Sequence, residues 1–413
     1  MEKKTTDVLI IGGAVSGSAM ACALARFNID VTLVDRRKEP NGLNRGDGLQ
    51  PRTQEIMESW GVLEHFHQYP FVKSYGLDIR RTNGTRVLLI DMKQLKDLKY
   101  NYIFSMPHRY IEEHFLEWAD QHNHIHMWRG YTAKELVYGQ SGKVEGAILQ
   151  DRSGDQVEIR AKVVVGADGG QSFVRKSLNI PTTQEVYDHQ LIVAHLPLPS
   201  WYGELRNHVY LHKDGAIVLL PLPDQKMRMA VVLEPGQIST WTKYTDEELM
   251  AKVSERLPLL KGLEVYREHE HAYKMTRMHA ISYSKNGAVL VGDAAHLTHA
   301  SSGQGMNMAI QDADVLSLLL KEALEGNMDL DHALLLYEHI RRPINEEIMG
   351  RAHFMSSMVY NKTPLEYNSK ILRFSALKLV PGLLNKMGTE MARGISGMKQ
   401  VPIIEKQLST ALG

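Results

Sequence analysis

The stretch Val8-Leu-Ile-Ile-Gly12-Gly-Ala14-Val-Ser-Gly17, continued by Val31-Thr-Leu-Val-Asp35, decides the fold. A continuous apolar run that stops at glycines reads as a buried strand. Ser16 to Phe27 then carries small residues and larger apolar ones at helical spacing, and Val31 to Val34 is a second buried strand. Strand, turn, helix and strand make the βαβ unit of a doubly wound sheet. The turn is a G-x-A-x-x-G variant of the dinucleotide fingerprint. Gly12 permits the tight turn, the small Ala14 lets a pyrophosphate approach the backbone, and Gly17 lets helix and strand pack closely. Phosphates would rest on the helix N-terminus at Val15, Ser16 and Gly17, where unpaired N–H groups and the helix dipole favour anions. Asp35 lies at the distance expected for an acid that accepts hydrogen bonds from adenosine ribose hydroxyls, and Arg36 follows it on the cofactor side. The glycines alone would also fit an ordinary βα turn.

Outward from this unit the pattern changes. Leu77 to Thr82 and Thr85 to Asp91 flank Asn83-Gly84, a strong hairpin signal because both turn residues tolerate positive φ. Val144 to Gln150 and Gln156 to Arg160 form a second hairpin that feeds the buried run Val163-Val-Val165, and His208 to Leu233 reads as further antiparallel strands. Ala288-Val-Leu-Val291 returns to the buried-strand type before a glycine-rich turn and a helical run, Ala309 to Leu324; from Asp331 the chain is helical. The fold class expected is α/β: a Rossmann-type cofactor domain (1–75, 101–180 and 281–345) interrupted by a mostly antiparallel β substrate domain (76–100 and 181–280), with a helical C-terminal region (346–413).

Composition narrows the function classes. A chain of 413 residues, 43% hydrophobic and 23% charged, is long enough for two or more domains with their own cores. Lys+Arg and Asp+Glu balance at 48 each, so no global field attracts nucleic acid or an anionic membrane. The single cysteine, Cys22, excludes an internal disulfide framework and fits a reducing cytoplasm. No apolar run approaches the roughly 20 residues of a membrane span. No His/Cys cluster has metal-ligand spacing, so no metal is expected. The segment from Ser369 to Met398 mixes Ile371, Leu372, Phe374, Leu377, Leu379, Leu383, Leu384 and Met387 with lysines and an arginine, a pattern that suits either a covered core or peripheral contact with a membrane.

Two further stretches specify the dinucleotide. Val163-Val-Val-Gly-Ala-Asp168-Gly-Gly-Gln-Ser172-Phe-Val-Arg175 and Val289-Leu-Val-Gly292-Asp293-Ala-Ala-His296, running on to Gly303-Gln-Gly305-Met306-Asn307, resemble the D-G and G-D motifs of the flavoprotein aromatic hydroxylases. With the first fingerprint, they fall in the family's order. Leu336-Tyr-Glu338 and Arg341-Arg-Pro343 match its next helix. The chain thus resembles the p-hydroxybenzoate hydroxylase fold and its ubiquinone-, polyketide- and quinolone-hydroxylating relatives. The resemblance implies non-covalent FAD, NAD(P)H as a transient co-substrate, and hydroxylation of an aromatic, quinone-like or polyketide-like small molecule with O2 through a C4a-hydroperoxyflavin. It implies that Gly292 and Asp293 meet the ribityl chain, and that Gly303, Gly305, Met306 and Asn307 lead into a helix facing the flavin. Asp168 would bridge indirectly to the phosphates. Arg45 resembles the arginine that reaches the pyrophosphate, with Arg52 as competitor. His108 falls where relatives place Gln or Arg against the flavin, though a surface histidine fits equally well.

One departure stands out. Relatives usually carry Pro-Pro where this chain has His299-Ala300, beside substrate and flavin. His299 is a candidate proton relay, while His296 reads as structural. Tyr210 and His212 are candidates to orient or deprotonate a phenol; alternate side chains on a solvated face are the other reading. A reductase of the same fold acting on isoprenoid double bonds, a non-enzymatic FAD-binding interaction protein and a plain NAD-binding Rossmann protein are the alternatives. A cytoplasmic monomer or homodimer is expected.

Overall fold

The computed structural model describes residues 2–40, 46–300, 303–361 and 363–393. The apolar run Val8 to Ile11 is the inner half of a longer strand, Glu2–Ile11. Its polar first half is held because Glu2 to Thr6 pair in parallel register with Val157 to Ala161. The buried run Val163 to Val165 likewise belongs to a single strand, Gln156–Gly166, whose first part also pairs antiparallel with Val144–Gln150. The first sheet runs in the order Ser284–Lys285, Ala288–Leu290, Gln156–Gly166, Glu2–Ile11, Val31–Asp35 and Ile125–Arg129, with Val144–Gln150 and Thr132–Tyr138 attached as an antiparallel annex.

The described helices are α1 (Val15–Ala25), α2 (Pro51–Ser59), α3 (Leu63–Phe66), α4 (His108–Asp120), α5 (Phe173–Ser177), α6 (Ile238–Trp241), α7 (Asp246–Arg256), α8 (Gly305–Leu324), α9 (Leu330–Val359), α10 (Pro364–Leu377) and α11 (Leu383–Arg393). Small residues at Ala19, Ala21 and Ala23 let α1 pack against both α4 and α8, and Cys22 is buried there with its thiol donating to Phe115 O at 3.1 Å.

The second sheet is ordered His296–Leu297, Tyr266–Ala280, Thr182–Pro197, Lys226–Leu233, Ile217–Leu222, Asn207–Leu211, Gly76–Arg81 and Arg86–Asp91. Strand side chains alternate between faces, and here both faces are covered. Ile192, Tyr210, Leu219, Met229 and Val231 pack with Trp241, Leu249 and Val253 from α6 and α7. Ile79, Leu88, Leu191, Leu211 and Val232 pack with Val359, Ile371 and Phe374 from α9 and α10. The apolar positions of the C-terminal segment therefore include a core lid: Ile371 and Phe374 are buried, and Leu377, Leu384 and Met387 pack against the same cluster, while Leu372 and Leu379 are exposed. Among the described residues no helix is long and apolar enough to cross a membrane. Two details depart from the expected boundaries. The Leu330–Val359 helix runs unbroken through position 345, and His296–Leu297 pairs with Met278 and His279 of the second sheet.

Candidate active site

Three turns meet because three parallel strands end together. Ile11 is in register with Gly166, and Gly166 with Leu290, so the chain leaves the sheet at neighbouring points on its carboxyl edge, where open α/β sheets place their ligands. The turns touch. A Cβ on Gly12 (φ +107°) would lie 2.4 Å from Ala167 O, one on Gly17 1.7 Å from Gly12 O, and one on Gly292 2.1 Å from Ser16 Oγ. These glycines are contact surfaces between motifs. Ala14 caps α1 without a side-chain hydrogen bond, and the helical ladder begins with Ser18 N donating to Ala14 O. The amides of Val15, Ser16 and Gly17 are therefore outside that ladder and available to an anion.

The acid after the second strand is held by neighbouring donors. Asp35 is buried, accepts from Gly13 N at 2.8 Å and is gripped by Arg37, whose Nε and Nη2 lie 3.0 and 2.7 Å from its two oxygens. Burial alone would raise its carboxyl, but Arg37 and Gly13 hold it below the usual carboxylate range. Arg37 also reaches Glu112 Oε1 at 2.8 Å. Asp35 thus shapes the turn through both of its oxygens. Arg36 is exposed and lines an open cleft with Lys38, Gly130 and Arg152.

Asp168 Oδ2 accepts from the amides of Phe173 and Val174 at 2.6 and 3.1 Å, fixing the start of α5, while its Oδ1 is buried without a hydrogen-bond partner. Burial raises its carboxyl above the usual range. Asp293 lies half-buried with its Oδ1 4.0 Å from where a Cβ on Gly305 would be. Gly303 has φ +60° and open space around it. Met306 packs against the apolar core of the first sheet and α1. Asn307 has a buried side chain that clamps the turn, accepting from Gln50 N at 2.8 Å and Thr53 Oγ1 at 2.7 Å and donating to Gly48 O and Gly303 O, both at 2.9 Å. It sets the turn before α8, whose N-cap Gln304 gives no side-chain cap. His108 begins α4, with its amide on Asp47 Oδ1 at 3.0 Å and its Nδ1 3.1 Å from Gly46 O. Arg45 lies outside the described residues.

His296 is structural, with Nε2 2.6 Å from Asp312 Oδ2 in a fully buried cluster with Arg341 and Asn345. His299 is buried, and its Nε2 lies 2.7 Å from Nε2 of His189 on the long Thr182–Pro197 strand. Tyr187 meets the His299 ring edge-on at 4.6 Å and Tyr360 stacks on His189 at 5.1 Å. Burial pushes both imidazoles well below their ordinary value, so both are neutral near pH 7. His189 carries no motif, and only strand pairing brings it to His299. Tyr210 and His212 do not share this location. Tyr210 is packed in the core under α6 and α7, and neither residue lies on a solvated alternating face: His212 sits in the turn after the strand, with Nδ1 accepting from Asp214 N at 3.2 Å. Asp47, also missed by sequence, ties the first unit to the second sheet through Arg228 Nη1 at 2.7 Å; burial pushes its carboxyl up to about 6 against the pull of that arginine.

These residues fit FAD. The uncapped amides of α1, the Asp168 turn and the Asp293 turn follow neighbouring strand ends on one edge of the sheet. The comparisons agree with this geometry. Among similar chains, the 6-methylpretetramide 4-monooxygenase of Streptomyces rimosus is 27% identical, covering 87% of this chain and 85% of that one. The 3-demethoxyubiquinol 3-hydroxylase of Escherichia coli is 24% identical over 96% of this chain and 100% of its own. The p-nitrophenol 4-monooxygenase PnpA of Pseudomonas putida shares the fold with a TM-score of 0.82 at 17% identity, covering 96% of this chain and 100% of that one. The sequence profile of the FAD binding domain family matches residues 5–352, and the chain belongs to that family.

Proposed function

We propose that the protein is an FAD-dependent, NAD(P)H-consuming monooxygenase that hydroxylates an aromatic, quinone-like or polyketide-like small molecule. The observation that carries this reading is the meeting of the three motif turns on one sheet edge, with the chain running on from the Asp293 turn to a buried histidine pair. Bound FAD, reduced by NAD(P)H, supplies the activation of O2 and the transfer of one oxygen atom to an activated ring carbon. The chain's own residues do the rest. The amides of Val15 to Gly17 hold the pyrophosphate, Asp293 accepts from the ribityl hydroxyls, and the uncapped start of α8 stabilises negative charge on the flavin edge. The sheet paired with this turn, within 76–100 and 181–280, covers the substrate; the cofactor side is 1–75, 101–180 and 281–345.

His299 and His189 form the proton path. Two neutral imidazoles facing through Nε2 at 2.7 Å share one proton, one ring donating and the other accepting. A proton taken from a substrate hydroxyl at an outer Nδ1 moves on by transfer of the shared proton, and the burial of the pair keeps bulk water from competing. With a single dinucleotide fingerprint, NAD(P)H binds only transiently, so its oxidation is slow until substrate is present. The test is a screen of phenols, quinolones and quinones for stimulated NAD(P)H oxidation, followed by hydroxylation under labelled O2. Entry of label into product is expected. Reduction of a double bond without O2 uptake would identify a reductase instead, and flavin binding without any stimulated oxidation would identify an interaction protein. In the working enzyme, His189→Asn should lower kcat near pH 7, where both imidazoles are neutral, by more than below about pH 4, where the pair is itself protonated, while leaving flavin content unchanged.

A further inference from the structure

We propose that His65, His114 and Glu117 form a zinc-binding site on the face shared by α3 and α4, away from the flavin turns. His114 and Glu117 stand three residues apart on one face of α4, and the neighbouring α3 supplies His65. One ligand atom from each of the three lies within 4.8 Å of the others. His114 Nδ1 is 2.9 Å and His65 Nε2 is 3.4 Å from the same Glu117 Oε2. A tetrahedral zinc ion bonded at about 2.0–2.1 Å to each ligand requires neighbouring ligand atoms roughly 3.3 Å apart, so two of the three separations are already close to that value. Two imidazoles and one carboxylate match the ligand chemistry of this cation, and a water completes the tetrahedron.

Three further features point to a ligand. His65 Nε2 is buried, and its 3.4 Å contact with Glu117 Oε2 misses hydrogen-bond geometry; in the tautomer with the proton on Nδ1, its lone pair is directed to a cation. Tyr69 acts as a support for both other ligands: its ring stacks on His114 with centroids 3.5 Å apart and its hydroxyl donates to Glu117 Oε2 at 3.0 Å. Outer partners of this kind fix ring orientation and are a usual part of zinc sites. Glu117 is 45% exposed, which leaves an entry path for the ion and room for the water. The site would staple α3 to the outer half of α4.

The experiment uses the FAD-loaded protein, stripped of metal with a chelator and titrated with Zn2+ against a chromophoric competitor. One tight equivalent is expected. His65→Ala and Glu117→Gln should each weaken it by about tenfold or more, and His126→Ala, at an exposed histidine elsewhere, should leave it unchanged. Flavin absorbance reports that each variant is folded. Co2+ should give the visible bands of a tetrahedral ion in the wild type and lose them in Glu117→Gln. Wild-type binding no tighter than that of His65→Ala and Glu117→Gln would overturn the proposal.

Discussion

Asp312 shows how much a single buried side chain can organise. Its carboxylate receives His296 Nε2 at 2.6 Å, Arg341 Nε at 2.7 Å, Asn345 Nδ2 at 2.9 Å and the amide of Gly292 at 3.1 Å. Burial alone would raise the acid, but His296 and Arg341 hold it far below the usual carboxylate range. Because it reaches Gly292, this cluster also fixes the turn that presents Asp293. Asp312→Asn keeps the shape but leaves Arg341 uncompensated, so urea unfolding should show a loss of about 3–5 kcal/mol; a loss below about 1 kcal/mol would mean that Arg341 finds another anion. The two motif aspartates should separate by role. Asp168→Ala removes an amide acceptor at the start of α5 and should cost about 1 kcal/mol of stability while retaining flavin. Asp293→Ala should instead weaken flavin binding, by about 1.5–3 kcal/mol, as read by flavin titration of apoprotein. The reverse order would exchange the two assignments.

At the scale of elements, the close fit of α1 to its strand is the feature on which the cofactor side depends. Gly17 has no room for a side chain, because a Cβ there would meet Gly12 O at 1.7 Å, and that atom is backbone that no rotamer can move aside. Gly17→Ala must therefore push the helix start away from the turn, misplacing the amides of Val15 and Ser16. The purified variant should have a much lower ratio of flavin to protein absorbance than wild type and be destabilised by about 1–3 kcal/mol. Full flavin occupancy in this variant would show that the phosphates rest elsewhere. The C-terminal helices serve a different purpose. Ile371 and Phe374 on α10 close one face of the second sheet, so the apolar residues of that helix are largely accounted for by packing.

Across the whole molecule, buried histidines set the response to acid. His208 and His279 are pushed down to about 4 by burial, and His189 and His299 are depressed for the same reason. A native state that binds fewer protons than the unfolded chain loses stability as pH falls, here from about 6.5 toward 4, at about 1.4 kcal/mol per unit of depression for each group. Asp47 and Glu112, both pushed up to about 6 by burial, act in the opposite sense, since they gain protons in the native state over the lower part of that window. Burial also lowers His114 and His212 and raises Asp168, so the depressed histidines outnumber the raised acids and the urea midpoint should fall between pH 7 and pH 5. His208→Phe, which preserves the stacking on Tyr202 at 4.3 Å, should flatten that fall. An unchanged pH profile in this variant would show that His208 does not carry its share.

What the sequence determined by itself was local. Gly12, Gly17 and Gly292 are legible because a tight turn or a backbone contact excludes every larger residue, and the strands around them are legible because burial imposes a period. The order of the three motifs was enough to expect the class of cofactor. The tertiary structure alone decided which distant side chains meet. His189 reaches His299 across 110 positions, and Asp47 reaches Arg228, through strand order and register, which leave no trace in the spacing of residues. His65 joins His114 and Glu117 only through helix packing, so no ligand spacing was visible. Tyr210 lies on a strand with both faces covered, and which of them turned toward α6 and α7 was settled by packing. Asp35 had a partner two residues away, yet only the folded turn brought Arg37 onto its carboxylate. Local sterics act on each residue directly, whereas contacts between elements depend on how the whole chain closes.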